Sequence, residues 1–184
     1  MSTQEPEQTD TYDVVLLCEE ALTVLDAQQV TSLHEELRAE GQRVRYHVLL
    51  PVEDAAARVE AAMGSLAAGE VMAAPAIAIS EVDLEEVRRD CEERSQEAVE
   101  ESVARLKATG AAVTGHVVRG APVDALAEAV SKVDGREAII LTRPHVVAEF
   151  FHVDWTSRAR RKLGVPVLHL LEKETFEEQG ESGV

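Results

Sequence analysis

Aromatic side chains are scarce: the 184 residues include one Trp, two Tyr and three Phe. A core must therefore come from Val, Leu, Ile and Ala, and a hydrophobic share of 45% supplies enough of them for an ordinary globular chain. There are only two cysteines, Cys18 and Cys91, too few and too far apart for a disulfide framework, which points to a reducing compartment. Basic charge is also short. Eighteen Lys and Arg stand against 35 Asp and Glu, a formal net charge of −17. Such a surface repels nucleic-acid phosphates and anionic lipid, so neither is expected as a partner. No apolar run approaches the length of a membrane span, and Met1–Asp10 is polar and acidic without the apolar stretch of a signal peptide. The expected location is cytoplasmic, and the length fits one domain that needs no metal or disulfide to hold it.

What is present alternates between strand and helix. Residues 1–11 and the acidic end 172–184 (Glu172, Glu174, Glu177, Glu178 and Glu181 against Lys173) are expected to be tails around one domain spanning 12–171. Asp13 to Cys18 is a short continuous apolar run of the kind buried on both faces of a parallel sheet. Asp26 is placed to cap a helix carrying Val30, Leu33 and Leu37, which Gly41 ends. Val44–Leu50 is a second strand, stopped by Pro51, and 53–63 reads as a short Ala-rich helix. Residues 64–80 give no assignment. The clearest helix runs from about Leu84 to Thr109, with a face of Leu84, Val87, Cys91, Ser95, Ala98, Ser102 and Leu106. A strand at Ala112–Val118 follows, then a helix opened by Pro122 and ending near Val133. Asp134-Gly135 is a turn, Glu137–Thr142 a buried strand, 155–163 a short helix and Val165–Leu171 the last strand.

Five strands alternating with helices predict a parallel sheet with helices on both faces. Ligands of such sheets sit beyond the carboxyl ends of the strands, where the strand order reverses. That rule selects Glu19 and Glu20, 51–54, Arg119–Ala121 and above all Thr142–Ser157. The last segment holds the only Trp, two of the three Phe and two of the six His. Residues 143–162 carry Arg143, Arg158, Arg160, Arg161 and Lys162 against Glu149 and Asp154, a basic island in an acidic chain. One reading is an anion pocket, with Arg143 and Arg119 as charge partners and Thr156 and Ser157 at a helix start. The other is that these cations pair with the acidic surface, within the chain or across a dimer, as structural ion pairs often do.

Three segments carry a resemblance to the universal stress protein family: Val118-Arg-Gly-Ala-Pro122, Ala138-Ile-Ile-Leu-Thr142 and Gly164-Val-Pro-Val-Leu168. They stand where that family has G-x-P, a buried fourth strand and a P-V-L-x-V fifth strand. The likeness covers about residues 110–171 with useful specificity and 13–50 more loosely. It implies a Rossmann-like α/β fold of the adenine nucleotide α-hydrolase type, strand order 3-2-1-4-5, and a dimer. ATP-binding members carry G-x2-G-x9-G-[S/T] after the fourth strand, where bare backbone approaches phosphate at a helix start. In this sequence the three glycine positions fall on Thr142, His145 and Trp155, and the hydroxyl position on Thr156. The spacing is kept and every glycine is gone. Pro144 removes a further amide donor. The acidic residue ending the family's first strand aligns with Glu19, or with Cys18 if the register is off by one. No cofactor is therefore expected, ATP being disfavoured, and the candidate ligand residues are Glu19, Arg119, Gly120, Thr142, Arg143, His145, Trp155, Thr156 and Ser157.

Catalytic and metal chemistry find little support. His145, Glu149 and His152 have spacing a metal could use on a helix, but they lack a fourth ligand, so ordinary packing is expected and no metal. Glu19 and Glu20 disfavour a thiolate at Cys18. Ser157 lacks a G-x-S-x-G setting, and Thr142-Arg-Pro144 is no phosphate loop. His34, His47, His116 and His169 read as structural. The expectation is a non-catalytic binding or interaction protein, regulatory and stress-linked by resemblance, forming a homodimer through 165–171. The alternative is a small-molecule or nucleotide sensor with a pocket remodelled at 142–158. An enzyme acting on an adenylate-like substrate has the least support.

Overall fold

The computed structural model describes residues 11–52, 81–142 and 161–171. Five strands form one sheet: β1 (Thr11–Cys18), β2 (Arg43–Pro51), β3 (Ala112–Val118), β4 (Glu137–Thr142) and β5 (Val167–Leu171). Every neighbouring pair is parallel and the order is β3-β2-β1-β4-β5, as the alternation of apolar runs and the resemblance led one to expect. The reversal of order falls between β1 and β4.

The central strand β1 shows why the run is continuous rather than alternating. Val14, Leu16 and Cys18 enter one core with Tyr46, Val48, Ile139 and Leu141, while Val15 and Leu17 enter the other with Leu49, Ala138 and Ile140. A strand with helices on both faces has no polar side to show. The first core is closed by α1 (Val24–Ser32) and by α3 (Glu81–Ala108), which contributes Leu106. The second is closed by α4 (Pro122–Val133) through Leu126 and Val130, and by Leu163 ahead of β5.

Several boundaries moved. β1 begins at Thr11, paired with Arg43, one residue inside the expected tail. The N-cap of the first helix is Thr23, not Asp26. The Thr23 hydroxyl accepts from the Asp26 amide at 3.1 Å while the Asp26 carboxylate accepts from the Thr23 amide at 2.7 Å. This reciprocal pair is a capping box, and it places Asp26 inside the first turn. The expected single helix also breaks at Leu33–His34, with α2 (Glu35–Ala39) following. His34 is buried, bonded to Tyr46 Oη at 3.0 Å and to Glu137 at 3.1 Å. Drawing that ring inward takes His34 out of helical geometry, at φ −114° and ψ 19°. β5 starts at Val167 rather than Val165. Pro166 has no amide to offer the ladder, though its carbonyl still accepts from Ala138 at 3.0 Å.

α3 packs closely on β3 because position 115 is Gly. A Cβ there would lie 2.5 Å from Val99 Cγ1 and 2.6 Å from Val103 Cγ2. From Cys91 onward the expected helix face is buried at Cys91, Ser95, Ser102 and Leu106, while at its middle Val99 is buried and the expected Ala98 only half-buried. At the end of α4, Asp134 takes the left-handed conformation at φ 52° and the Gly135 amide returns to Val130 at 2.8 Å. The expected helix at 53–63, most of the one at 155–163, and the tails lie outside the described residues. Residues 161–163 are helical.

Candidate functional site

Parallel strands β1 and β4 end side by side, Cys18 opposite Leu141, at the point where the strand order reverses. The carboxyl end of such a reversal is the usual ligand position in open α/β sheets. Glu19 stands at its β1 side, half-buried, its amide bonded to the Leu141 carbonyl at 3.3 Å. Cys18, the alternative in that alignment, is completely buried in the core. Thr142 stands on the β4 side. Its hydroxyl meets His169 Nε2 at 2.8 Å, tying the end of β4 to β5 where the candidate loop departs. Burial pushes the His169 imidazole below its ordinary range, so the ring favours the neutral form.

The loop after β1 is fastened to α3. Leu22 is fully buried, its amide donates to Ser102 Oγ at 3.0 Å, and its carbonyl accepts from Arg105. Arg105 is held in turn by Glu101. The segment carrying Glu19 and Glu20 is thus anchored to a second element.

Arg119 and Gly120 do not converge with Glu19 and Thr142. They follow β3, three strand spacings from β4, on the order of 14 Å across the sheet. Arg119 is exposed and in an ion pair with Glu92 of α3 at 2.9 Å. For this guanidinium the pairing with the acidic surface is present. Lys162 does the same with Asp124. Gly120 sits at φ 83°, a conformation that suits glycine and turns the chain from β3 into α4. Arg143, His145, Trp155, Thr156 and Ser157 lie outside the described residues, as do His145, Glu149 and His152 as a metal set.

His169 is the site-adjacent residue that the sequence reading passed over as structural. Its signal was a titratable ring interrupting an apolar final strand, two positions before its end. Among the described candidate residues, Glu19 and Thr142 are the two that the fold brings together.

No protein-family model and no curated protein matches the chain by sequence. Solved structures do match by shape. The universal stress protein UspA from Lactobacillus plantarum superposes at a TM-score of 0.50 and 16% identity, over 87% of this chain and 98% of that one. A universal stress protein family protein from Arabidopsis thaliana, solved with AMP bound, gives a TM-score of 0.50 at 12% identity, over 88% and 92%. The chain has the fold of the universal stress proteins, a Rossmann-like α/β sheet ordered 3-2-1-4-5. No helix among the described residues is long and apolar enough to cross a membrane.

Proposed function

We propose that this protein is a non-catalytic regulatory binding protein whose ligand end is the crevice between β1 and β4, and that its small-molecule ligand is an adenine mononucleotide rather than a triphosphate. The observation that carries the reading is the reversal of strand order at β1/β4, with Glu19 and Thr142 on its two sides. A protein of the same fold holds AMP, which supplies the ligand class. The preference against ATP comes from the sequence. Thr142, His145 and Trp155 occupy the three positions where the related motif has glycine, and none of them offers the bare backbone that lets amides approach a polyphosphate closely. A single phosphate demands fewer such donors. The chain's −17 charge opposes a triphosphate more than a monophosphate.

Calorimetry with AMP and with Mg-ATP on the unmodified protein is the test. AMP is expected to bind and Mg-ATP to bind more weakly or not at all. A low-micromolar dissociation constant for Mg-ATP, lost in Thr156→Ala combined with Arg143→Ala, would show a working phosphate loop and sink the reading.

A further inference from the structure

A second group of reactive side chains lies on the sheet away from the crevice. Asp13, His47 and Thr114 belong to β1, β2 and β3, and the register sets them almost in line, with Val15 opposite His47 and His47 opposite Thr114. All three point to the face that carries Val15, Leu17 and Leu49. His47 Nε2 is 2.6 Å from Asp13 Oδ1, and His47 Nδ1 is 2.9 Å from Thr114 Oγ1. Arg45 clamps the same carboxylate with two bonds, at 2.7 and 3.1 Å. The acid and the ring are shielded, their side chains 7% and 10% exposed, whereas Thr114 is exposed. Thr114 stands on β3, the outer strand among the described residues, on the face opposite the one α3 covers.

With a neutral His47 ring, the bonding pattern sets the proton positions. Burial alone would raise the Asp13 carboxyl, but the hydrogen bonds from Arg45 and His47 outweigh it and hold the group below its ordinary range. An ionised Asp13 is only an acceptor, so His47 must donate from Nε2. In the neutral ring Nδ1 is then an acceptor, and the Thr114 hydroxyl must donate to it. A carboxylate thus fixes the tautomer of an imidazole whose free lone pair takes a hydroxyl proton, which is the arrangement that activates a hydroxyl nucleophile.

We propose that Thr114 is an acyl-accepting site, its hydroxyl activated by the buried His47–Asp13 pair, and that its substrates are activated acyl compounds such as acyl phosphates, thioesters or aryl esters. In the step, Thr114 Oγ1 bonds to the acyl carbonyl carbon while His47 Nδ1 takes the hydroxyl proton. The carbon–leaving-group bond then breaks with its electron pair going to the leaving group, which takes the proton back from His47. The product is an ester on Thr114 and a neutral ring. No oxidant or metal is required, and the β1/β4 crevice takes no part.

The test uses the full chain with p-nitrophenyl acetate as the acyl donor, following p-nitrophenol release and locating the acetyl group by peptide mass mapping. One acetyl per chain on Thr114 is expected. His47→Gln should slow that acetylation by about 100-fold or more, the usual contribution of a positioned general base. Thr114→Ser should keep it and Thr114→Val should abolish it, with circular dichroism and the β1/β4 ligand affinity of both unchanged. Acetyl groups found on Lys107 or other amines and not on Thr114 would overturn the proposal. So would Thr114 acetylation that proceeds equally fast in a folded His47→Gln variant.

Discussion

At the scale of single residues, Gly115 and His169 make the sharpest commitments. Gly115 is not needed for its φ; it is needed because Val99 and Val103 occupy the place of a Cβ. Valine methyls at such short range cannot swing aside as the end of a lysine could, so Gly115→Ala must push α3 off β3. We expect a loss of about 1–3 kcal/mol, the usual cost of overpacking a formed interface. Urea denaturation would measure it, and adding Val103→Ala should recover part of the loss. His169 commits to a pH dependence. Its folded pKa is depressed by burial from the ordinary 6.5, so near that pH the unfolded chain binds a proton that the folded chain resists. The stability it permits is complete above pH 6.5 and falls as the pH drops through that value. Denaturation midpoints at pH 7.5 and 5.5 should therefore differ more for the native protein than for His169→Gln, whose amide can still meet Thr142. Equal differences in the two proteins would contradict this.

At the scale of elements, what could be read from the sequence divides cleanly by range of interaction. β1, β3, β4 and α4 were legible because their signals are local: continuous apolar runs, a Pro at the helix start and an Asp-Gly stop. The start of α1 was misjudged although its signal was equally local. Thr23-Val-Leu-Asp26 is a Thr followed three residues later by an acid, and reading only Asp26 as the cap missed half of the pair. Thr23→Ala should cost about 1 kcal/mol, visible in thermal melts, while Thr23→Ser should cost little. The break at His34, the Thr142–His169 bond and the Asp13–His47–Thr114 row were not legible. Each joins residues from different strands or helices, and the sequence pattern gives the strands without giving their register. α3 shows a related gap. Its 28 residues span on the order of 42 Å against roughly 23 Å for β3. Ser95 reaches the Pro51 carbonyl and Glu92 pairs with Arg119, both at strand ends, so the turns before Glu92 stand beyond the sheet at its ligand end.

At the scale of the whole molecule, two strand edges and one large charge decide how copies meet. Among the described residues β3 and β5 end the sheet, and an open edge presents unpaired amides and carbonyls that invite another strand. The edges differ in composition. β3 exposes Ala112, Thr114 and His116 and has a glycine at its middle, whereas β5 is Val-Leu-His-Leu-Leu with nothing charged. Pairing of apolar, β-favouring residues makes the β5 edge the better seam, so the protein should form a homodimer through residues 165–171. The −17 charge on each copy works against it, because two like-charged bodies repel across the seam. Screening shortens that repulsion to a few ångströms near 1 M salt. Dimer should therefore be favoured as salt rises at fixed protein concentration, the reverse of an interface held by ion pairs. Light scattering at low and high salt would follow the subunit number. Hydrogen exchange on the concentrated sample should show the amides of 167–171 gaining protection while those of 112–118 do not. Monomer at micromolar concentration in both salts, or protection gained at β3 instead, would show that the β5 edge is not the seam.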